Sequence, residues 1–220
     1  LKIIKQVAEG IKNTSPKAFV ICITNPLDVI VMALQKYSGL PTNKVVGMAG
    51  VLDTSRFKYF LSQELKVPTK KIKSLLLGGH GDTMVPMPNH TTINDKALIK
   101  MISKDKLDQI VDRTRKGGAE IIKLLEKGSA FYAPAAAGVE MAESYLKNLK
   151  KTLPCAAHLN GEYGYKNLYA GVPVVIGEKG AEKIVEIQLN KEEKENFNIS
   201  IKAVKELFNA AQKIDKDLNE

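Results

Sequence analysis

The residues best equipped for chemistry stand in the stretch Leu75-Leu76-Leu77-Gly78-Gly79-His80-Gly81-Asp82-Thr83. An apolar run of the kind that forms a buried strand breaks there into glycine, with one histidine set between glycines. Gly78, Gly79 and Gly81 carry no Cβ, so the backbone can turn sharply and another molecule can approach it closely. A histidine at the mouth of a strand exchanges a proton near neutral pH. Asn25 follows the apolar run Phe19–Ile23, and Asp53 and Arg56 stand three residues apart at the start of an expected helix. Asparagine, aspartate, arginine and histidine together suit a small carboxylate with a polarisable oxygen. His80 is read as the acid/base of that site.

Each of these residues also has a purely structural reading. Asn25-Pro26 alone is an ordinary turn. As part of a site, Pro26 biases Asn25 toward extended geometry, and the amide can donate to a carbonyl or hydroxyl oxygen. Asp53 and Arg56 share a helix face. They form either a surface ion pair worth about 0–1 kcal/mol or a site whose planar guanidinium grips a carboxylate with two parallel hydrogen bonds. A lone histidine is commonly structural, and His90 and His158, which lack glycine neighbours, are read that way. His80 differs in its glycine cage and in having a carboxylate to orient it. An aspartate on one ring nitrogen fixes the tautomer, frees the other nitrogen and stabilises the imidazolium. Asp53 is the candidate, although Asp82 is nearer in sequence. No His/Asp/Glu/Cys set has the spacing of metal ligands, so no metal is expected.

The elements that must position these groups follow from apolar spacing. Residues 1–13 read as the end of a helix. Ala18–Ile23 has the unbroken apolar character of a parallel strand buried on both faces. Leu27–Tyr37 is a helix ended by Gly39 and Pro41, and Val45–Met48 is a second buried strand. This order implies a right-handed parallel crossover, with ligands bound beyond the carboxyl ends of its strands. Leu52–Leu65 is a helix, and Ile72–Leu77 is a strand leading to His80, with a returning strand within Val85–Ile93. Leu107–Leu125 is a helix whose stripe is Leu107, Ile110, Val111, Ile121, Leu124 and Leu125. Gly117-Gly118 interrupts it at ~1 kcal/mol per glycine against alanine, so close packing or a bend is expected there. A helix over Ala135–Leu146 precedes three short strands, Leu153–Leu159, Val172–Ile176 and Ile184–Leu189, arranged as an antiparallel meander. Asn190 and Glu193 form a capping box for a last helix burying Phe197, Ile201, Val204, Phe208 and Ala211. The fold class is α/β: the second half of a Rossmann-type parallel sheet in residues 1–49, then an α+β substrate domain in residues 50–220.

Composition narrows the function classes. The chain has 220 residues, 44% of them hydrophobic, enough to fill a core. The net charge of +9 comes from lysines scattered among glutamates, with no Arg-rich block or nucleic-acid motif. Nucleic-acid binding is therefore not expected, and the charge reads as a solvated surface. No apolar run reaches the roughly 18 residues of a membrane span. Cys22 and Cys155 lie in apolar surroundings without CxxC spacing, as buried thiols of a reducing, cytoplasmic compartment. The chain opens on Leu1 with Ile3, Ile4, Val7 and Ile11 already at helical spacing and no capping residue ahead of them. The expectation is that further sequence precedes it.

Three motifs occur in a fixed order: Ile23-Thr24-Asn25-Pro26-Leu27-Asp28, Gly50-Val51-Leu52-Asp53-Thr54-Ser55-Arg56 and Gly78-Gly79-His80-Gly81-Asp82-Thr83-Met84-Val85-Pro86. Together with Leu153-Pro154-Cys155-Ala156-Ala157 they resemble the lactate/malate dehydrogenase family, most of all the lactate-dehydrogenase-type malate dehydrogenases of bacteria. The resemblance covers essentially the whole chain. It implies reversible NAD-dependent oxidation of (S)-malate to oxaloacetate, with His80 as proton acceptor and Asp53 orienting it. Arg56 would bind a substrate carboxylate, Asn25 the substrate oxygen and nicotinamide, and Ile23 and Thr24 would line the cofactor. It also implies a 2-hydroxy/2-oxo dicarboxylate substrate, a step of the tricarboxylic acid cycle, and a dimer or tetramer. The family's Gly-rich phosphate loop, ribose-reading acid and mobile arginine loop would all precede Leu1. This segment alone is therefore expected to bind NAD poorly and turn over slowly. L-Lactate dehydrogenase is the alternative, and a non-catalytic assembly domain is the reading from a different class.

Overall fold

The computed structural model describes residues 1–219. Helix α1 (Lys2–Thr14) leads into strand β1 (Val20–Cys22), helix α2 (Leu27–Ser38) and strand β2 (Val45–Gly47). β1 and β2 pair in parallel, as the crossover predicts. Helix α2 is buried at every residue from Leu27 to Leu34, because it lies between the sheet and other helices. Gly39 ends it in the left-handed conformation, with φ 65°.

Helix α3 (Gly50–Leu65) follows β2 directly. The expected single strand over 72–77 is instead two short strands in different sheets. Strand β3 (Ile72–Lys73) and strand β4 (Leu76–Leu77) are separated at Ser74-Leu75. Ser74 Oγ meets Thr91 Oγ1 at 2.7 Å, and the Leu76 N–H donates to Thr54 Oγ1 at 3.1 Å. These side-chain partners turn the apolar run from one sheet to the next, which alternation of residue types cannot reveal. The return segment divides likewise into strand β5 (Val85–Pro86), paired with β4, and strand β6 (Thr92–Ile93), paired with β3 and with strand β7 (Lys96–Ala97). His90 sits in the 3-10 turn between them and not in a strand.

Helix α4 (Lys104–Leu125) buries Leu107, Ile110, Thr114 and Gly117. The expected stripe stops there: Leu124 is 76% and Leu125 43% exposed. Helix α5 (Tyr132–Leu146) carries Pro134 in its first turn, where a missing N–H costs nothing.

Strands β8 (Lys151–Asn160), β9 (Lys166–Gly177) and β10 (Gly180–Ile184) form the antiparallel meander. The third strand lies earlier than expected because Gly177 pairs directly with Gly180 across a tight turn. Beyond Ile184 the chain runs on without strand pairing, held by the Val185 N–H on the Pro173 carbonyl. The meander is not a separate sheet. Gly47 of β2 pairs with Ala156 of β8, so the order β1-β2-β8-β9-β10 is one five-stranded sheet. Against it pack α2 and helix α6 (Lys191–Ile214), which also touch each other, and the pair α3 and α5. The Asn190–Glu193 capping box of α6 forms as predicted. Among the described residues no helix is long and apolar enough to cross a membrane.

Candidate active site

Three strand ends deliver the site. The carboxyl end of β1 releases Ile23, Thr24, Asn25 and Pro26, and Asp28 follows in the first turn of α2. The end of β2 runs into α3, which places Asp53 in the first turn and Arg56 one turn later. The end of β4 releases the loop 78–83, with Gly78 at φ 81° and Gly81 at φ 119°. Gly78 also exchanges two backbone hydrogen bonds with Gly171 of β9, at 2.8 and 3.0 Å. A Cβ on Gly171 would run into the Gly78 carbonyl. Only a glycine there lets the histidine loop dock on the large sheet.

The central contact joins Asp53 Oδ2 to His80 Nδ1 at 2.8 Å. Asp53 is 2% exposed, so its carboxylate is directed by the fold and not by solvent. With Nδ1 committed, Nε2 is the nitrogen left for a reactant. Burial of the ring works against its protonation. The hydrogen bond and charge of Asp53, and then the charge of Asp28, overcome that, so the His80 pKa is raised above the ordinary imidazole value. Asp82 is exposed and does not take the orienting role that its nearness in sequence allowed.

Arg56 approaches Asp53 Oδ1 only at 3.5 Å, a long contact. Its Nε is buried without a partner among the described residues, and its stem and head lie along Gly117 and Gly118 of α4. The glycine pair thus marks close packing, one of the two outcomes the sequence allowed. A guanidinium held this way, largely unneutralised, is a receptor for an anion.

His80, Arg56, Asn25 and Ile23 line one cleft of about 250 Å³, and Asp53 stands behind His80. Thr24 is exposed beside them and outside the lining. One wall is apolar, formed by Met48, Leu52 and Pro134. Sequence reading missed the contributions of Gly118, Ile122, Ser129 and Ala130 to the lining. The glycine pair was a signal for the first, while the Ser129-Ala130 loop carries none. It also missed Asp28, which accepts the His80 backbone N–H at 2.8 Å. Its place in a helix's first turn already has a local explanation, favourable charge at the dipole.

The other candidates lie elsewhere. His90 meets Glu193 at 3.3 Å, and His158 packs edge-on against Tyr169. A larger groove of about 510 Å³ runs between α4 and the start of α6. It contains none of the converging groups, and its Arg115 is engaged by the Met84 carbonyl. Cys22 and Cys155 are both free and buried. Among the described residues, no group of three or more His, Cys, Asp or Glu stands together as a metal site.

This geometry meets known proteins at one point. Residues 50–215 match the lactate/malate dehydrogenase alpha/beta C-terminal domain, and residues 1–47 match the NAD binding domain of the same family. The chain belongs to the lactate/malate dehydrogenase family. A malate dehydrogenase of Pelagibacter ubique (strain HTCC1062) is 66% identical over 224 residues, covering 100% of this chain and 70% of that protein. Among solved structures, Cryptosporidium parvum malate dehydrogenase superposes with a TM-score of 0.95 at 43% identity, over 96% of this chain and 69% of that one. Salinibacter ruber malate dehydrogenase gives a TM-score of 0.95 at 42% identity, over 98% and 70%. A family member of the other kind is nearly as similar in shape. Cryptosporidium parvum lactate dehydrogenase, complexed with lactic acid and nicotinamide adenine dinucleotide, gives a TM-score of 0.93 at 44% identity, over 95% and 68%.

Proposed function

We propose that this chain serves an NAD-dependent malate dehydrogenase that interconverts (S)-malate and oxaloacetate, a step of the tricarboxylic acid cycle. The observation that carries it is one cleft holding both an Asp53-bound imidazole and a guanidinium left free for an anion. Likeness at 66% identity to a malate dehydrogenase supports malate over lactate.

In this reading Arg56 grips one substrate carboxylate with two parallel hydrogen bonds, which fixes the C2 hydroxyl before His80. Asn25 donates its amide to the substrate oxygen. NAD, when bound, would supply the acceptor for the hydride that leaves C2. His80 Nε2 takes the hydroxyl proton as the C2–O bond becomes a carbonyl, and Asp53 stabilises the imidazolium. In the reverse direction the imidazolium returns that proton. The cleft suits such a cofactor: Met48, Leu52 and Pro134 form an apolar wall that would take a planar ring, and Asn25 lines the same cleft. Ile23, Thr24 and Asn25 are its proposed contacts, all at the β1 end where a parallel sheet binds ligands.

Residues 1–49 are read as part of the NAD-binding domain and residues 50–220 as the substrate domain. The family matches at 1–47 and 50–215 support that division, although sheet and core run across it. A cytoplasmic setting is supported by two buried free thiols. Assembly as a dimer or tetramer is supported by exposed apolar side chains such as Leu124, Phe131 and Tyr132.

The test is a steady-state assay of the full-length protein with NADH and either oxaloacetate or pyruvate. A much higher kcat/KM for oxaloacetate is expected. Preference for pyruvate would move the assignment to L-lactate dehydrogenase, and no turnover of either would overturn it.

A further inference from the structure

The loop that carries His80 is gripped from two sides by unlike partners. On one side the Gly79 N–H donates to Ser200 Oγ of α6 at 2.8 Å. On the other the His80 N–H donates to Asp28 Oδ2 of α2 at 2.8 Å. The fit is close: a Cβ on Gly79 would stand 2.8 Å from Val204 Cγ2 and 3.2 Å from Asp28 Oδ2. Asp28 is 6% exposed, and its Oδ1 is buried with no hydrogen-bond partner among the described residues.

Ser200 demonstrates that a neutral hydroxyl is sufficient to hold an N–H of this loop. A carboxylate in the equivalent role is costly, because burial disfavours its charged form. Half of its hydrogen-bonding capacity is moreover left unused. The charge therefore requires a purpose beyond anchoring.

We infer that Asp28 is a positioning residue whose buried negative charge, set against the His80 backbone, helps His80 hold the proton it takes from the substrate. This rests on the proposed dehydrogenase chemistry. The charged groups around the imidazole are Asp53 and Arg56 from α3 and Asp28 from α2, while α6 contributes the neutral Ser200 and Val204. Asp53 acts on the ring nitrogen, Arg56 opposes protonation, and Asp28, bound to the His80 N–H, adds a second negative charge that favours it. Burial pushes the Asp28 carboxyl up to about 6, so the charge is present at neutral pH and above.

The experiment is Asp28→Asn in the full-length protein, with the His80 ring titrated by NMR and kcat/KM for malate measured against pH. Asparagine keeps an acceptor oxygen and removes the charge, so the His80 midpoint is expected to fall by about half to one pH unit. Because malate oxidation needs neutral His80, the acid limb of kcat/KM moves to lower pH by the same amount. Ser200→Ala, which loosens the loop without changing charge, is expected to leave both where they are. Asp28→Ser supplies a second neutral acceptor should the amide fold badly. An unmoved His80 midpoint in Asp28→Asn, or an equal shift in Ser200→Ala, would overturn the inference. The NMR titration needs no turnover. Inactivity of every form with a moved midpoint would therefore sink the dehydrogenase reading and leave the electrostatic link standing.

Discussion

The Cδ of Arg56 lies 3.3 Å from the point where a Cβ on Gly117 would stand, so a bare helix face seats the guanidinium. The next glycine is different. A Cβ on Gly118 would meet the two terminal nitrogens of Arg56 only at 3.8 and 3.9 Å, an ordinary contact. Alanine at either position adds about 1 kcal/mol of helix propensity. The two substitutions should therefore part company. Gly117→Ala is expected to raise the KM for oxaloacetate several-fold, with kcat less affected, because its methyl displaces the arginine stem. Gly118→Ala should add thermal stability and raise KM less, because its methyl meets the Arg56 fork only at ordinary contact distance. Equal KM values for both variants would show that Gly117 does not seat Arg56.

Arg56 itself provides a second test. Its Nε is buried and unpartnered among the described residues, and its contact with Asp53 is long, so little there competes for its fork. Lysine keeps the charge and loses the paired donors. Losing one charge-assisted hydrogen bond of about 1.5–3 kcal/mol should lower kcat/KM of Arg56→Lys on the order of 10–100-fold, mostly through KM. Kinetics indistinguishable from wild type would remove Arg56 from the substrate site.

The grouping of His80, Asp53, Arg56 and Asn25 was legible in the sequence because such chemistry needs particular residue types at strand ends. Apolar runs betray those ends. Helices α2, α3 and α6 were legible for a similar reason: their apolar spacing is local, as are the Gly39 end of α2 and the capping box of α6. What escaped was decided at long range. The turn at Ser74-Leu75 depends on Thr54 and Thr91, and the union of β2 with the meander rests on Gly47 meeting Ala156. Asp28 hid behind its favourable place in a helix's first turn, since the amide it binds lies 52 residues away. The outer end of α4 has the spacing of a buried stripe, yet Leu124 is exposed, because nothing among the described residues covers it.

His80 and Asp53 should differ in the manner of their failure. His80→Asn removes the proton acceptor and is expected to cut kcat on the order of 10²–10⁴-fold. Asp53→Asn leaves an imidazole but offers Nδ1 an amide instead of a carboxylate, so the tautomer and the stabilised imidazolium are both lost. Its residual malate oxidation should reach its plateau at lower pH than wild type, because His80 loses the carboxylate that raises its pKa, whereas His80→Asn should show no histidine limb at all. Full activity in His80→Asn would end the acid/base assignment and favour a non-catalytic assembly role.

The same buried charges set how stability responds to pH. Asp28 has a folded pKa of about 6 against 3.8 in the unfolded chain, and that of His80 is raised above 6.5. In both cases the folded state holds protons that the unfolded state has released, so stability declines as pH rises. The Asp28 contribution is fully present below pH 3.8 and lost by about pH 6, with a ceiling of ~3 kcal/mol. That of His80 is lost between 6.5 and its higher folded value. Exposed carboxylates whose pKa is lowered by salt bridges, such as Glu120 beside Arg113, act in the opposite sense but only at more acid pH. The melting temperature should therefore fall from pH 5 to pH 8, by ~2–4 °C for each kcal/mol lost. In Asp28→Asn the decline below pH 6 should vanish and the part above 6.5 should shrink, because the folded His80 midpoint moves back toward the unfolded one. Calorimetry at fixed ionic strength checks this. A melting temperature that rises steadily from pH 5 to pH 8 would show that neither group is held as the structure indicates.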